Sequence, residues 1–345
     1  MLYQKNKDIF MNDNLVPLNA DLKHPDMGKI LAAAPAYTRL WQENTVGFLS
    51  LLHESMERHS KGIKQHVDGF SANASALRVT VDAQGLAKLI VRLESTDDPE
   101  EKEFYVNALN TSARDAGNKL ETLLKGVVDG ARSIGSLPVY DASREINDYK
   151  AALEKATTEV QAYAARLNSK QHDLRELEGA IEAFESNGLD SLFEGKLPTV
   201  DQVKELVSNG ATPAAALGAI EKVLEVVGKL ADGVQKGMHY SQLQDQRREW
   251  AEQIKQLGDE QREATQRTTQ VQGYLSALDE YLLLGEIRQQ WLDENRKIGL
   301  QLDGVRTQLL ALKLTDIEGA QALNKLLVTL RDYAQFVVAE IQKSF

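Results

Sequence analysis

Residues 141–184 read DASREINDYKAALEKATTEVQAYAARLNSKQHDLRELEGAIEAF. Within this stretch Ile146, Tyr149, Leu153, Ala156, Val160, Tyr163, Leu167, Lys170, Leu174, Leu177, Ile181 and Phe184 follow one another at spacings of three and four. That is a heptad seam sustained for more than five repeats, and Lys170 alone breaks its apolar character. A narrow stripe of this kind is buried by a second helix laid along it. Asn187-Gly188 ends the pattern, as a residue pair suited to a helix terminus.

Working outward, the same spacing returns beyond Met238. It runs through Tyr240, Leu243, Arg247, Trp250, Ile254, Leu257, Gln261, Ala264, Thr268, Val271, Leu275, Leu278 and Leu282. The frame slips near Leu284 and resumes at Ile287, Trp291, Ile298, Val305, Leu309 and Leu312. At about 1.5 Å per residue each of these two helices would run roughly 70–100 Å, which predicts an antiparallel coiled-coil stalk.

The flanking segments read as shorter helices. Residues 1–23 look irregular, and helix is predicted from about Pro25 to Leu93 with a break at Pro35. Leu77–Val81 and Leu86–Leu93 come nearest to strands but also fit a helix. Asp98-Pro99-Glu100-Glu101 opens a helix with a cap, a proline in the first turn and acids at the positive end of the dipole. That helix is predicted to end near Gly135, before Leu137-Pro138. Thr315-Asp316-Ile317-Glu318 reads as a capping box that starts a last helix, with Ala320, Leu323, Leu327, Leu330, Ala334, Val337 and Ile341 on one face.

The expected fold class is all-α: an elongated helical bundle with a long antiparallel coiled-coil stalk and an apolar helical insert at the tip. Residues 1–140 with 315–345 form the bundle in this reading, 141–188 with 239–314 the stalk, and 189–238 the tip. Composition agrees with thin helical cores, since aromatic residues make up only 6% of the chain.

Several classes of function are disfavoured. A net charge of −11 argues against nucleic acid and against charge-driven docking on anionic lipid. With no Cys, thiolate chemistry and disulfides are excluded. The start MLYQKNKDIFMNDN has no apolar core of signal-peptide type, so the chain is expected to be made as a soluble cytoplasmic protein without a cleaved signal. No phosphate loop, dinucleotide fingerprint or nucleophile elbow is present. His24, His53, His59, His66, His172 and His239 show no metal-ligand spacing and read as surface or half-buried helix residues. Trp41, Trp250 and Trp291 read as packing residues. No enzyme activity and no cofactor are expected.

The insert is the unusual part. A short helix is predicted from Thr199 to about Ser208, with Thr199 and Gln202 as a capping box. Thr212-Pro213 then opens TPAAALGAIEKVLEVVGKLADGVQKGM, residues 212–238. Its charges are Glu221, Lys222, Glu225, Lys229, Asp232 and Lys236, three acidic and three basic. At about 100° per residue they share one sector of roughly 100°, and the remaining circumference is apolar or glycine. A helix of this length would span roughly 39 Å, more than a hydrocarbon core of about 30 Å. Gly218, Gly228, Gly233 and Gly237 would let neighbouring helices approach closely in lipid. Each charge facing lipid at mid-membrane would cost at least about 2.5–3.5 kcal/mol. The stripe therefore has to face water or its own kind, which a ring of protomers provides and a single helix does not.

The two heptad helices, the apolar helical insert between them and the Cys-free chain resemble the cytolysin-A-type α-helical pore-forming toxins. The chain is most similar to the B component of the two-part alpha-xenorhabdolysin toxins. That resemblance implies a binary system in which a longer A component of the same toxin engages the target-cell lipid bilayer and recruits B into a hetero-oligomeric ring. It implies that the insert is the membrane tip, with Glu221, Glu225, Lys229, Asp232 and Lys236 lining the pore. Leu217, Ile220, Val223, Leu224, Val227, Leu230 and Val234 would then face lipid, with Leu189, Leu192 and Phe193 as apolar tip residues. The protein would be released and would insert into the host cell membrane. The parent cytolysin carries a β-hairpin at its tip, whereas this insert reads as helical, which suits the binary subfamily. The heptad seams also fit a rival reading, a coiled-coil scaffold or filament subunit in which the insert is a folded cap.

Overall fold

A computed structural model describes residues 22–82, 85–186, 188, 191, 193–209, 217, 218, 221, 224–226, 228 and 239–344. Its helices are α1 (Met27–Gln42), α2 (Ser50–Asp82), α3 (Leu86–Ser95), α4 (Pro99–Gly135), α5 (Ser143–Ser186), α6 (Val200–Ser208), α7 (Tyr240–Ala311) and α8 (Ile317–Lys343). The fold is all-α. Among the described residues the single strand-type contact is one antiparallel bridge, between Lys196 and His239.

Local chemistry accounts for several helix starts. The Asp98 carboxylate accepts the Glu100 N–H at 2.9 Å, and Pro99 occupies the first turn of α4. Thr199 and Gln202 form the expected reciprocal box: the Thr199 N–H donates to Gln202 Oε1 at 2.9 Å, and the Gln202 N–H donates to Thr199 Oγ1 at 3.4 Å. At α8 the cap is Asp316 rather than Thr315, its carboxylate accepting the Gly319 N–H at 2.8 Å. The chain enters this helix so tightly that a Cβ on Gly319 would lie 2.0 Å from the Lys313 carbonyl oxygen.

Pro35 does not break the first helix. It lies inside α1, where the buried Ile30, Ala33, Tyr37 and Leu40 hold one face against the core. Their burial outweighs the one hydrogen bond a proline removes. The break comes after Gln42 instead, where Asn44 takes a left-handed conformation at φ 53°.

The chain divides into two compact units, Met1–Ala142 with Ser276–Phe345, and Ser143–Leu275. Residues 276–314, which the heptad pattern assigns to the stalk, thus fall in the first unit, and the insert falls in the second.

In the first unit α2 is central, with α1, α4 and α8 packed on it and α3 packed on α4 and α8. Met56, Ile63, Leu77, Leu120, Leu123, Trp291, Leu302, Leu327 and Leu330 are buried there. Glycine lets α2 and α4 approach: a Cβ at Gly62 would lie 2.4 Å from Ile134 Cδ1, and one at Gly130 would lie 2.0 Å from His66 Nδ1. Arg288 of α7 caps the carboxyl end of α4, its Nη2 donating to the carbonyls of Ile134 and Gly135 at 2.9 Å and of Leu137 at 3.4 Å.

In the second unit α5 and the first part of α7 pair antiparallel. Tyr149 meets Tyr274, Glu159 pairs with Arg267 at 3.7 Å, Lys170 sits 5.0 Å over the Trp250 ring, and Phe184 stacks on Tyr240. As one index rises the other falls. Lys170, the one polar residue in its seam, is thus answered by an aromatic face, a contact worth about 0.5–2 kcal/mol.

Replacing Leu123, which is fully buried on α4, by Ala is expected to cost about 2–5 kcal/mol. Leu310→Ala, at a residue 71% exposed, should stay within about 0.5 kcal/mol of the wild type. Denaturant unfolding of the two variants checks both values.

Candidate functional site

The site is built where α5 ends and α7 begins. After Ser186 the chain turns through Gly188 at φ 65°, and again through Glu194 and Gly195 at φ 52° and 77°. These left-handed positions bring Lys196 alongside His239, so the two ends of the insert are bridged to each other. The Tyr240 N–H donates to the Gly195 carbonyl at 2.8 Å and completes the tie.

Side chains close the same junction. The Tyr240 hydroxyl donates to the Glu185 carboxylate, and Gln244 Nε2 donates to the Tyr240 oxygen at 2.7 Å. Below them the Phe184 and Tyr240 rings stack with centroids 5.4 Å apart. The contact joins the last residue of one heptad seam to the first of the other. Writing the two seams antiparallel would bring these two residues together. Glu185 and Gln244 lie off the seam, and periodicity gives them no signal.

The apolar residues of the insert lie on this base. Leu177, Ala180, Ile181 and Phe184 of α5 and Leu243 and Trp250 of α7 form a buried cluster with Leu197 and Val226. Phe193, Leu217 and Leu224 pack against it, half-buried. Residues 217, 218, 221, 224–226 and 228 are helical, and of these Gly218, Glu221, Glu225 and Gly228 are exposed. At about 100° per residue those four occupy one sector of about 80°, and Leu217, Leu224 and Val226 lie outside it.

Of the residues singled out in the sequence, Glu221 and Glu225 thus stand on the water side, and Phe193, Leu217 and Leu224 on the cluster side. Lys229, Asp232, Lys236, Ile220, Val223, Val227, Leu230, Val234, Leu189, Leu192 and the Thr212-Pro213 cap lie outside the described residues. Among the described residues no helix is long and apolar enough to cross a membrane. No group of three or more His, Asp or Glu side chains could hold a metal ion, again among the described residues.

His59 and His66 are neither surface nor half-buried: they are 2% and 8% exposed, in the core of the first unit. Their spacing of seven puts both on the inner face of α2.

No family model matches this chain, and no curated protein does. Solved structures do. PaxB from Photorhabdus luminescens superposes with a TM-score of 0.75 at 15% identity, over 93% of this chain and 97% of its own. XaxB from Xenorhabdus nematophila gives 0.74 at 15% identity, over 93% and 99%. The chain has the fold of PaxB and XaxB. A chain of the XaxAB pore complex from Xenorhabdus nematophila matches over the same 93% with a lower TM-score of 0.54 at 14% identity.

Val226→Asp places a carboxylate in the buried cluster and is expected to cost about 3 kcal/mol or more in the second unit. Glu221→Gln, at an exposed site, should change stability by less than about 0.5 kcal/mol. Circular dichroism through a denaturant series distinguishes the two.

Proposed function

We propose that this chain is the B-type subunit of a two-part α-helical pore-forming toxin. The observation that carries the reading is the sidedness of the insert: Leu217, Leu224 and Val226 on the α5–α7 cluster, Glu221 and Glu225 turned to water, in a chain with the XaxB fold. The higher match to XaxB than to a chain of the pore complex supports taking this arrangement as the one held before assembly. The partners are a longer A component of the same toxin and the bilayer of the target cell. Assembly gives a hetero-oligomeric ring in the host cell membrane, with no part for nucleic acid.

The mechanism is an exchange of cover. In water the apolar face of the insert is buried on the α5–α7 cluster, a gain of about 25 cal/mol per Å². Lipid tails are as apolar as leucine, so moving that same face into a bilayer returns little more. The gain comes from apolar surface that the cluster leaves uncovered, and from contacts with the partner and with neighbouring protomers. Something must also undo the tie at the base of the insert, made by Tyr240, Glu185 and the Lys196–His239 bridge. The partner is the agent in this reading, because contact with lipid alone makes no demand on those groups. Once inserted, Glu221, Glu225, Lys229, Asp232 and Lys236 line the lumen. Ile220, Val223, Val227, Leu230 and Val234 meet lipid together with Leu217 and Leu224.

The chain contains no cysteine, so one introduced at Leu217 can be labelled alone. With a nitrobenzoxadiazole label there, adding the partner component and dye-filled liposomes is expected to release dye and shift label emission to the blue. Without the partner neither change is expected. A verified partner on receptive liposomes that gives no release, with the label remaining in water, would overturn the proposal. A scaffold protein would give that result together with concentration-dependent filaments or rods.

A further inference from the structure

Two histidines in the first unit are buried with their neutral forms fixed by hydrogen bonds. His59 Nδ1 lies 2.8 Å from the Ser55 carbonyl oxygen, which only accepts, so Nδ1 carries the proton. Its Nε2 is then bare, and it is buried without a partner. His66 Nε2 lies 2.8 Å from Asn295 Oδ1, and Asn295 Nδ2 is committed to the Trp291 carbonyl at 2.9 Å. The amide is thereby oriented, His66 Nε2 donates, and Nδ1 is bare. That Nδ1 faces Gly130, which has no side chain to accept a hydrogen bond. A second proton on His59 would create a buried N–H with no acceptor built for it, and one on His66 would put charge on a ring only 8% exposed.

The surroundings also disfavour positive charge. On α1, Tyr37 stacks on the His59 ring at 5.1 Å. On α7, the Arg288 guanidinium acts on His59, as does Arg58 from α2 itself, and both are cations. Tyr37 and Tyr281, which also feel Arg288, are pushed up to about 12 by burial and stay neutral. Around His66 stand Phe70 of α2, Gly130 of α4, and Trp291 and Asn295 of α7. Glu294, beside Asn295, is engaged by the Asp26 N–H and Lys297, and Tyr333 of α8 answers to it. Among the described residues no carboxylate is among the groups that act on either histidine ring. A cavity of about 260 Å³, lined by Gln65, His66, Asn73 and Ser133 among others, gives protons a route to His66.

We propose that His59 and His66 together make the first unit an acid-sensitive switch. The bundle is closed while both rings are neutral. It loosens when they take up protons, because charge on His59 opposes Arg288, the residue that holds the carboxyl end of α4. Burial pushes both rings below the ordinary histidine value of 6.5, against a smaller upward pull from Ser55 and Asn295. The sign follows. Above about 6.5 folded and unfolded chains both carry neutral rings, and the stability is fully present. As pH falls below that value the unfolded chain binds protons the folded chain refuses. Stability is lost until the lowered folded values are reached.

The test is denaturant unfolding of the full chain between pH 7.5 and 5.0, for the wild type, His59→Gln/His66→Gln and His172→Gln, the last at a side chain 70% exposed. Each buried ring is expected to lower the folded-to-unfolded ratio by up to about tenfold per pH unit below 6.5, so up to about a hundredfold for the pair. The double variant should lack this extra slope, and His172→Gln should keep it. Should the double variant not fold, hydrogen exchange at the histidine C2 position of the wild type, read by mass spectrometry, measures each ring directly. Titration of His59 and His66 well below the ordinary histidine value of 6.5 is the expected result. Titration of either ring at or above about 6.5, or equal slopes in the wild type and a folded double variant, would overturn the proposal.

Discussion

An apolar helix face between two heptad helices has to be covered, and much of the second unit follows from how this is done. Phe184, Leu243 and Trp250 belong to the two seams, yet they also floor the cluster that receives Leu197, Leu217, Leu224 and Val226. A seam of strict heptad width would be used up by its partner helix. Here the seam ends in large residues that hold each other and the insert as well. The bridge between Lys196 and His239 and the Tyr240–Glu185 contact then fix where the insert leaves and re-enters the helical pair.

The same economy explains why the covering is reversible in the proposed function. Apolar contacts carry no directional demand, so a face held by Leu177, Ile181 and Phe184 is held equally well by lipid tails or by a neighbouring protomer. What is directional sits at the base, in a handful of hydrogen bonds. In the proposed function, the specificity of the change resides in polar groups at a junction, and its capacity in the apolar area. The first unit uses close packing instead: glycines let α2 and α4 touch, and buried polar groups such as His66 and Asn295 fix how α7 seats against them.

Local signals suffice wherever a single helix decides the outcome. The Asp98-Pro99 start, the Thr199–Gln202 box and the two seams depend on residues within a turn or two of each other. Where distant neighbours decide, local signals mislead. Pro35 reads as a breaker until the burial of Ile30, Tyr37 and Leu40 is known. Thr315 and Asp316 are both good caps by residue type, and the approach of Lys313 to Gly319 selects the second. His59 and His66 looked like ordinary helix histidines, because a spacing of seven names a shared face without saying what that face meets.

The sequence alone carries the all-α class, the starts of α4 and α6 and the two heptad seams. Each of these follows from periodicity and capping chemistry within one element. Packing between elements decides which apolar residues of the insert rest on the α5–α7 cluster, how the insert is tied at its base, and that His59 and His66 lie buried, with Arg288 acting on His59. Those outcomes join residues tens to more than two hundred positions apart. A periodic pattern shows that a face must be buried, and the packing of other elements determines what buries it.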